Sequence, residues 1–171
     1  FGAKTILISG PTNIEAAKNV EVIEVISGKD FLQHSIDNLP CDIFISVAAI
    51  SDWRIKKTQK NKIKKNNIRD IEFILNDDVL KNISSHKKKP KLVIGFSAET
   101  KNLLKNTKKK LIEKGCDWIL ANEVTDDNAF LSDKNKIYFF DQKKVHEWSK
   151  MRKRMVALKL TKKIVSFFKK K

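Results

Sequence analysis

The sequence predicts an α/β protein with a doubly wound, mostly parallel sheet that finishes in a C-terminal hairpin and helix. Three observations predict it. Short apolar runs rich in β-branched residues alternate with amphipathic stretches, the runs are continuous, and two of them open on the same Cys-Asp pair, CDIFIS from Cys41 and CDWILA from Cys116. Continuity is what a parallel strand covered on both faces requires. Strand and helix in alternation favour right-handed crossovers within one sheet.

The elements follow in order. AKTILIS (3–9) reads as a strand ending at GPTN (10–13), and VEVIEVIS (20–27) alternates as a second. GKDFLQHSIDNLP (28–40) sets Phe31, Leu32, Ile36 and Leu39 at helical spacing and stops at Pro40, whose ring cannot continue a helix. CDIFISVAA (41–49) is expected to be the central strand, buried on both sides. IEFIL (71–75) reads as a further strand of the same kind, and DDVLKNISS (77–85) as a short helix with acidic residues at its positive end. KLVIGFSA (91–98) and CDWILAN (116–122) read as strands flanking the amphipathic helix TKNLLKNTKKKLIEKG (100–115), which Gly115 closes. Beyond a polar loop from Glu123 to Asn135, KIYFFDQKKVHEW (136–148) reads as a hairpin and SKMRKRMVALKLTKKIVSFF (149–168) as a basic amphipathic helix. In such a Rossmann-like plan, ligands bind outside the carboxyl ends of the strands. GPTN, AISDWR (49–54), SAET (97–100) and ANEVTDD (121–127) are therefore expected on one rim.

Composition narrows the class. A chain of 171 residues with 41% apolar content is sized for one domain, expected to run over 1–171. No apolar run reaches the roughly 18–20 residues needed to cross a bilayer, so no membrane partner is expected. Cys41 and Cys116 have no metal-type spacing and fit a reducing, cytoplasmic compartment. The net charge of +16 raises a polyanion partner. Arg54, Arg69, Arg152 and Arg154 aside, however, the basic residues are lysines spread from Lys4 to Lys171. Base-reading surfaces favour the arginine fork, so a small anionic substrate is the more economical partner than nucleic acid.

At the predicted strand end, Ala48 and Ala49 are small enough for a ligand to approach the backbone, and Asp52 stands at the rim. A loop aspartate caps a turn or accepts hydrogen bonds from a ligand. QKNKIKKNN (59–67) is either a solvated loop or a lid that brings positive charge over a phosphate. Lys110 and Lys114, four apart on one helix face, serve solubility or the same anion. No Walker sequence or G-x-G-x-x-G motif is present, and His34, His86 and His146 stand apart from any triad or metal set.

Taken together, LISGPTN, ISVAAISDWR, NKIKK, NDDVL, IGFSAET and ANEVT resemble phosphopantothenate-cysteine ligase, the C-terminal half of a bifunctional flavoprotein of coenzyme A synthesis. The motifs fall in family order along almost the whole chain. The resemblance implies a CTP-dependent, cytoplasmic, dimeric enzyme whose partners are CTP, 4′-phosphopantothenate and cysteine. It forms an acyl-cytidylate, with Mg²⁺ carried on the nucleotide phosphates and FMN confined to the fused decarboxylase domain. By the same resemblance, Ala48, Ala49 and Asp52 line the nucleotide site and Lys62 is the catalytic lid lysine. Asp77, Asp78, Val79 and Leu80 make a further CTP contact, Phe96 meets the cytosine, and Lys110 and Lys114 meet the phosphates. Asp77 stands where the family has proline.

Two other expectations follow from the family pattern. FGAK reads as the end of a helix capped near Gly2, so the family's first strand, phosphate loop and a substrate-binding asparagine are expected upstream. A chain without them is expected to be inactive, with the hairpin at Lys136–Trp148 as the self-association element. The alternatives are a noncatalytic nucleotide-binding fragment and a basic nucleic-acid-binding module.

Overall fold

The computed structural model describes residues 2–57, 71–124 and 133–169. In chain order the elements are β1 (Ile6–Ser9), β2 (Glu21–Glu24), α1 (Gly28–Asp37), β3 (Ile43–Ser46), β4 (Trp53–Ile55) and β5 (Phe73–Leu75). They continue with α2 (Val79–Ser84), β6 (Leu92–Glu99), α3 (Leu103–Lys114), β7 (Trp118–Glu123), β8 (Lys134–Asp141), β9 (Val145–Arg152) and α4 (Lys153–Lys169). The chain packs as two compact units, the first of residues 1–41 and 47–90, the second of residues 42–46 and 91–171.

The second unit is built on one five-stranded sheet in the order β3-β6-β7-β8-β9. β3, β6 and β7 run parallel, β8 adds antiparallel to β7, and β9 pairs antiparallel with β8 as the expected hairpin. The α/β class read from the sequence is thus realised as a mixed sheet. β6 and β7 show continuous burial, as interior strands covered on both faces do: Leu92, Val93 and Ile94 on the first and Ile119, Leu120 and Ala121 on the second are hidden. β3, expected to be central and covered, is instead the terminal strand of this sheet, and Ile45 and Val47 are exposed. Its continuous apolar run does not separate a sheet edge from a sheet centre.

α3 packs on β6 and β7 and ends where the sequence predicts, at Gly115, whose φ of 64° lies in the left-handed region that lacks a penalty only for glycine. α4 covers β8 and β9 and presses Val156 and Leu160 into a core with Leu120, Ile137, Phe139 and Trp148. Phe139 stacks on Trp148 at 5.5 Å between ring centroids and meets Trp118 edge-on at 5.2 Å. The basic character of α4 is used here. Lys159 Nζ sits 4.7 Å above the Trp148 ring and Lys163 Nζ 4.4 Å above Phe139, so the lysine stems extend the apolar cover while the charges rest on aromatic faces.

The first unit has two small sheets, β1-β2 parallel and β4-β5 antiparallel. α1 opens on a capping box: Asp30 N–H donates to Ser27 Oγ at 3.2 Å, and Ser27 N–H donates to Asp30 Oδ2 at 3.2 Å. The bond from the Ser27 hydroxyl is the main cause that holds the Asp30 carboxyl below its ordinary value. α1 packs against α2 and β1, and the buried apolar residues of this unit are Val25, Phe31, Leu39, Val79 and Ile83. IEFIL does form a strand, but β5 pairs antiparallel with β4, Trp53 opposite Leu75 and Ile55 opposite Phe73, rather than joining a parallel sheet. Those four side chains share one face of the ribbon by strand alternation, and all are exposed. Among the described residues no helix is long and apolar enough to cross a membrane.

Candidate functional site

In the second unit, chemistry collects at the carboxyl end of β6. Ser97 and Glu99 are two residues apart on a strand, so both point to the same side, and both are buried. α3 returns along that side and presents Asn106 and Lys110, which one helical turn brings into line. Lys110 Nζ lies 2.7 Å from Glu99 Oε1 and donates to Ser97 Oγ at 3.2 Å, while Ser97 Oγ donates to Glu99 Oε1 at 2.6 Å. Asn106 Nδ2 approaches Glu99 Oε2 at 3.3 Å and is anchored on the Lys101 carbonyl at 3.0 Å.

Burial by itself pushes the Glu99 carboxyl up. Hydrogen bonds from Lys110 and Ser97, the Lys110 charge and the Asn106 amide outweigh it, so Glu99 titrates below its ordinary value and is a carboxylate at neutral pH. The result is a fixed ammonium at a strand end, its stem nearly half exposed at 44%. Two of its three N–H groups face Ser97 and Glu99; the third is available to an anion.

The other residues expected in this unit are placed differently. Lys114 lies one turn further on, half-buried in the last turn of α3. Phe96 is half-buried and packs with Ile94 and Leu92 against the aromatic core, the side of β6 opposite Ser97 and Glu99. The strand thus turns Phe96 and Lys110 to opposite faces. A cavity of about 330 Å³ opens beside the start of α3, where Lys105, Glu123 and Tyr138 contribute polar groups. Glu123 is the register partner of Glu99.

In the first unit, Ala48 and Ala49 line a cleft of about 290 Å³ together with Gly10, Gly28, Ser51 and Asn76. GPTN and AISDWR therefore meet here, as expected for segments that follow strands. Small residues make the space: a Cβ on Gly28 would come within 2.9 Å of Ile50 Cγ2. Asn76 fixes the loop, its side-chain amide donating to the Ser51 carbonyl at 2.7 Å and its N–H to the Asp52 carbonyl at 2.8 Å. Ser51 Oγ in turn donates to the Trp53 carbonyl at 2.9 Å. With its backbone used in this way, Asp52 presents an exposed carboxylate.

Of the NDDVL segment, Asp77 is exposed, Leu80 half-buried and Val79 buried. Asp78 caps α2, its Oδ1 accepting the Lys81 N–H at 3.0 Å. Lys62 lies outside the described residues. Sequence reasoning did not single out Glu99, Asn106, Gly28 or Asn76. The legible signal was Ser97 and Glu99, two polar residues at strand spacing in an otherwise apolar run, followed by Asn106 and Lys110 at helical spacing.

Comparison with known proteins finds relatives along almost the whole chain. A family model described as the DNA/pantothenate metabolism flavoprotein C-terminal domain matches residues 1–168. The chain is 34% identical over 166 residues to the coenzyme A biosynthesis bifunctional protein CoaBC of Borreliella burgdorferi, covering 95% of this chain and 42% of that protein. It is 36% identical over 141 residues to the protein of the same name from Haemophilus influenzae, covering 81% of this chain and 35% of that one. The chain thus spans less than half the length of these relatives. A crystal structure of the C-terminal domain of CoaBC superposes with a TM-score of 0.81 at 31% identity, covering 99% of this chain and 77% of that one.

Proposed function

Since this chain belongs to the family of DNA/pantothenate metabolism flavoprotein C-terminal domains, we propose that its protein acts in coenzyme A biosynthesis as a CTP-dependent phosphopantothenate-cysteine ligase. The observation that carries the reading is the 34% identity across 95% of the chain to a protein named for that pathway. The strand-end lysine fixed on a buried carboxylate supports it, because a reaction of a triphosphate with a phosphorylated acid needs cations held in place beforehand.

In the proposed reaction, a carboxylate oxygen of 4′-phosphopantothenate attacks the α-phosphorus of CTP. Pyrophosphate leaves with the electrons of the broken P–O bond, giving an acyl-cytidylate. The amine of cysteine then attacks the acyl carbon, CMP leaves, and the amine proton passes to solvent or base. Asp52 accepts hydrogen bonds from the nucleotide, and Ala48 and Ala49 let it approach the backbone. Lys110 and Lys114 meet the phosphates, Phe96 the cytosine, and the segment Asp77–Leu80 makes a further nucleotide contact. Lys62 closes over the reacting phosphate. Mg²⁺ enters as part of the nucleotide substrate, carried on its phosphates. The reading further proposes a cytoplasmic homodimer, with FMN bound by a fused decarboxylase domain.

The test is CMP release by the full-length protein, expected only when CTP, 4′-phosphopantothenate and cysteine are all present. Turnover with ATP in place of CTP, or none with the complete set, overturns the reading. Lys62→Ala is expected to lower turnover about 10²–10³-fold, the effect of removing one charge-stabilising group, while CTP binding changes little. Wild-type turnover in that variant removes Lys62 from the mechanism.

A further inference from the structure

We propose that Glu99 is the positioning residue of Lys110, a buried carboxylate that holds the lysine ammonium at the strand end where it receives a phosphate oxygen. The inference rests on the reading above, in which Lys110 meets the CTP phosphates. It adds a residue for which that reading had no role.

The geometry supports positioning over a surface ion pair. The Lys4–Glu21, Lys56–Glu72 and Lys91–Asp42 pairs are all well exposed on both sides, whereas the Glu99 side chain is 9% exposed and only its partner reaches solvent. Both Glu99 oxygens are engaged, Oε1 by Ser97 and Lys110 and Oε2 by Asn106, so the carboxylate cannot turn to follow a moving lysine. Ser97 supplies a second anchor to the same Nζ atom. Lysine on an open helix face has a flexible four-carbon stem that must be ordered whenever an anion binds. Here Glu99 and Ser97 supply that ordering beforehand and leave one N–H of the ammonium for a ligand oxygen. The carboxylate stays behind the ammonium, so it fixes the cation without contacting the ligand.

The experiment uses the full-length protein with Glu99→Gln, Lys110→Ala and the double variant. Glu99→Gln keeps the volume and removes the charge. It is expected to raise KM for CTP by about ten- to a hundredfold, the worth of one charge-assisted hydrogen bond, with a smaller change in kcat. In the Lys110→Ala background the same substitution is expected to add nothing, since Glu99 acts only through the lysine. An unchanged KM in Glu99→Gln, or an equal rise with Lys110 already absent, overturns the proposal. A second arm is independent of CTP: the rate of Lys110 acylation by an amine-directed reagent, read by peptide mass spectrometry, is expected to rise several-fold in Glu99→Gln. If the wild-type protein releases no CMP from CTP, the ligase reading fails by itself. The acylation arm then still decides the tether, which an unchanged rate overturns. Should Glu99→Gln not fold, Ser97→Ala removes the other anchor and is expected to raise both KM and acylation rate to a lesser degree.

Discussion

The sheet core of the second unit is almost completely hidden, with Phe139, Phe140, Ile119, Leu120 and Trp148 at 2% exposure or less, whereas the β4-β5 ribbon of the first leaves Trp53, Phe73 and Leu75 more than half exposed. A two-stranded ribbon has one partner for each strand and no covering layer of its own, so its apolar face stays open. The difference separates two ways of holding a strand-end group. Lys110 is fixed by a buried carboxylate on a strand with full support. The Ala48–Asp52 loop keeps its shape through a few hydrogen bonds from Asn76 and Ser51.

The contrast is broken most directly by comparing two aromatic deletions. Phe139→Ala removes a ring packed against Trp118 and Trp148 and is expected to cost about 3–5 kcal/mol of unfolding free energy. Trp53→Ala removes a ring that is 57% exposed and is expected to cost no more than about 0.5 kcal/mol. Urea unfolding of both variants checks this. Equal losses show that the ribbon face is covered in solution, and the contrast fails.

Electrostatics in the second unit sharpens it. Lys110→Ala leaves Glu99 buried with Ser97 and Asn106 as donors, at an expected cost of about 1–2 kcal/mol, less than for a fully buried pair because water reaches the lysine. The pH dependence has a defined sign. The Glu99 carboxyl titrates lower folded than its ordinary 4.5, so its contribution is complete above pH 4.5 and is lost as pH falls through the folded value. Urea midpoints of wild type and Glu99→Gln are expected to differ by a constant amount from pH 7 to 5 and to converge below pH 4.5. A gap that widens on acidification reverses the assignment.

Why part of this was legible in the sequence and part was not follows from the range of the interactions. Gly115, the amphipathic α3 and the hairpin around Lys136–Trp148 are set by neighbours a few residues away and form close to where the local pattern predicts, the hairpin reaching out to Lys134 and Arg152 so that 149–152, expected as helix, are strand. β4 is three residues long, and its partner β5 lies beyond the lysine run, so no local period marks it. The same is true of β3, whose apolar composition reads as a strand but whose edge position depends on the order of strands far along the chain. Lys110 was legible through the family pattern. The polar spacing of Ser97 and Glu99 was visible too, but the role of Glu99 was not, because it appears only when α3 folds back over β6.

The first unit has its own way of breaking the contrast. Gly28→Ala places a methyl 2.9 Å from Ile50 Cγ2, so Ile50 must shift, at an expected cost of about 1 kcal/mol. Gly28 and Ile50 both line the cleft with Ala48 and Ala49, so the change is expected to alter its shape. Urea unfolding checks the cost, and titration with CTP is expected to show weaker binding beyond it. Unchanged binding removes the cleft from the nucleotide site.

The smallest expected effect decides between two uses of one residue. Asp78 caps α2, and the resemblance also places it at the nucleotide. A cap requires an oxygen that accepts the Lys81 N–H, which asparagine supplies as well as aspartate does, whereas alanine supplies none. Asp78→Ala is therefore expected to cost about 0.5–1 kcal/mol, and Asp78→Asn to stay within a few tenths of wild type by urea unfolding. CTP titration of the asparagine variant, whose fold is intact, then reads the charge alone. A clear change in affinity assigns the carboxylate to the ligand. An unchanged affinity leaves Asp78 as the cap that sets the start of α2, with any nucleotide contact in this segment made through the backbone.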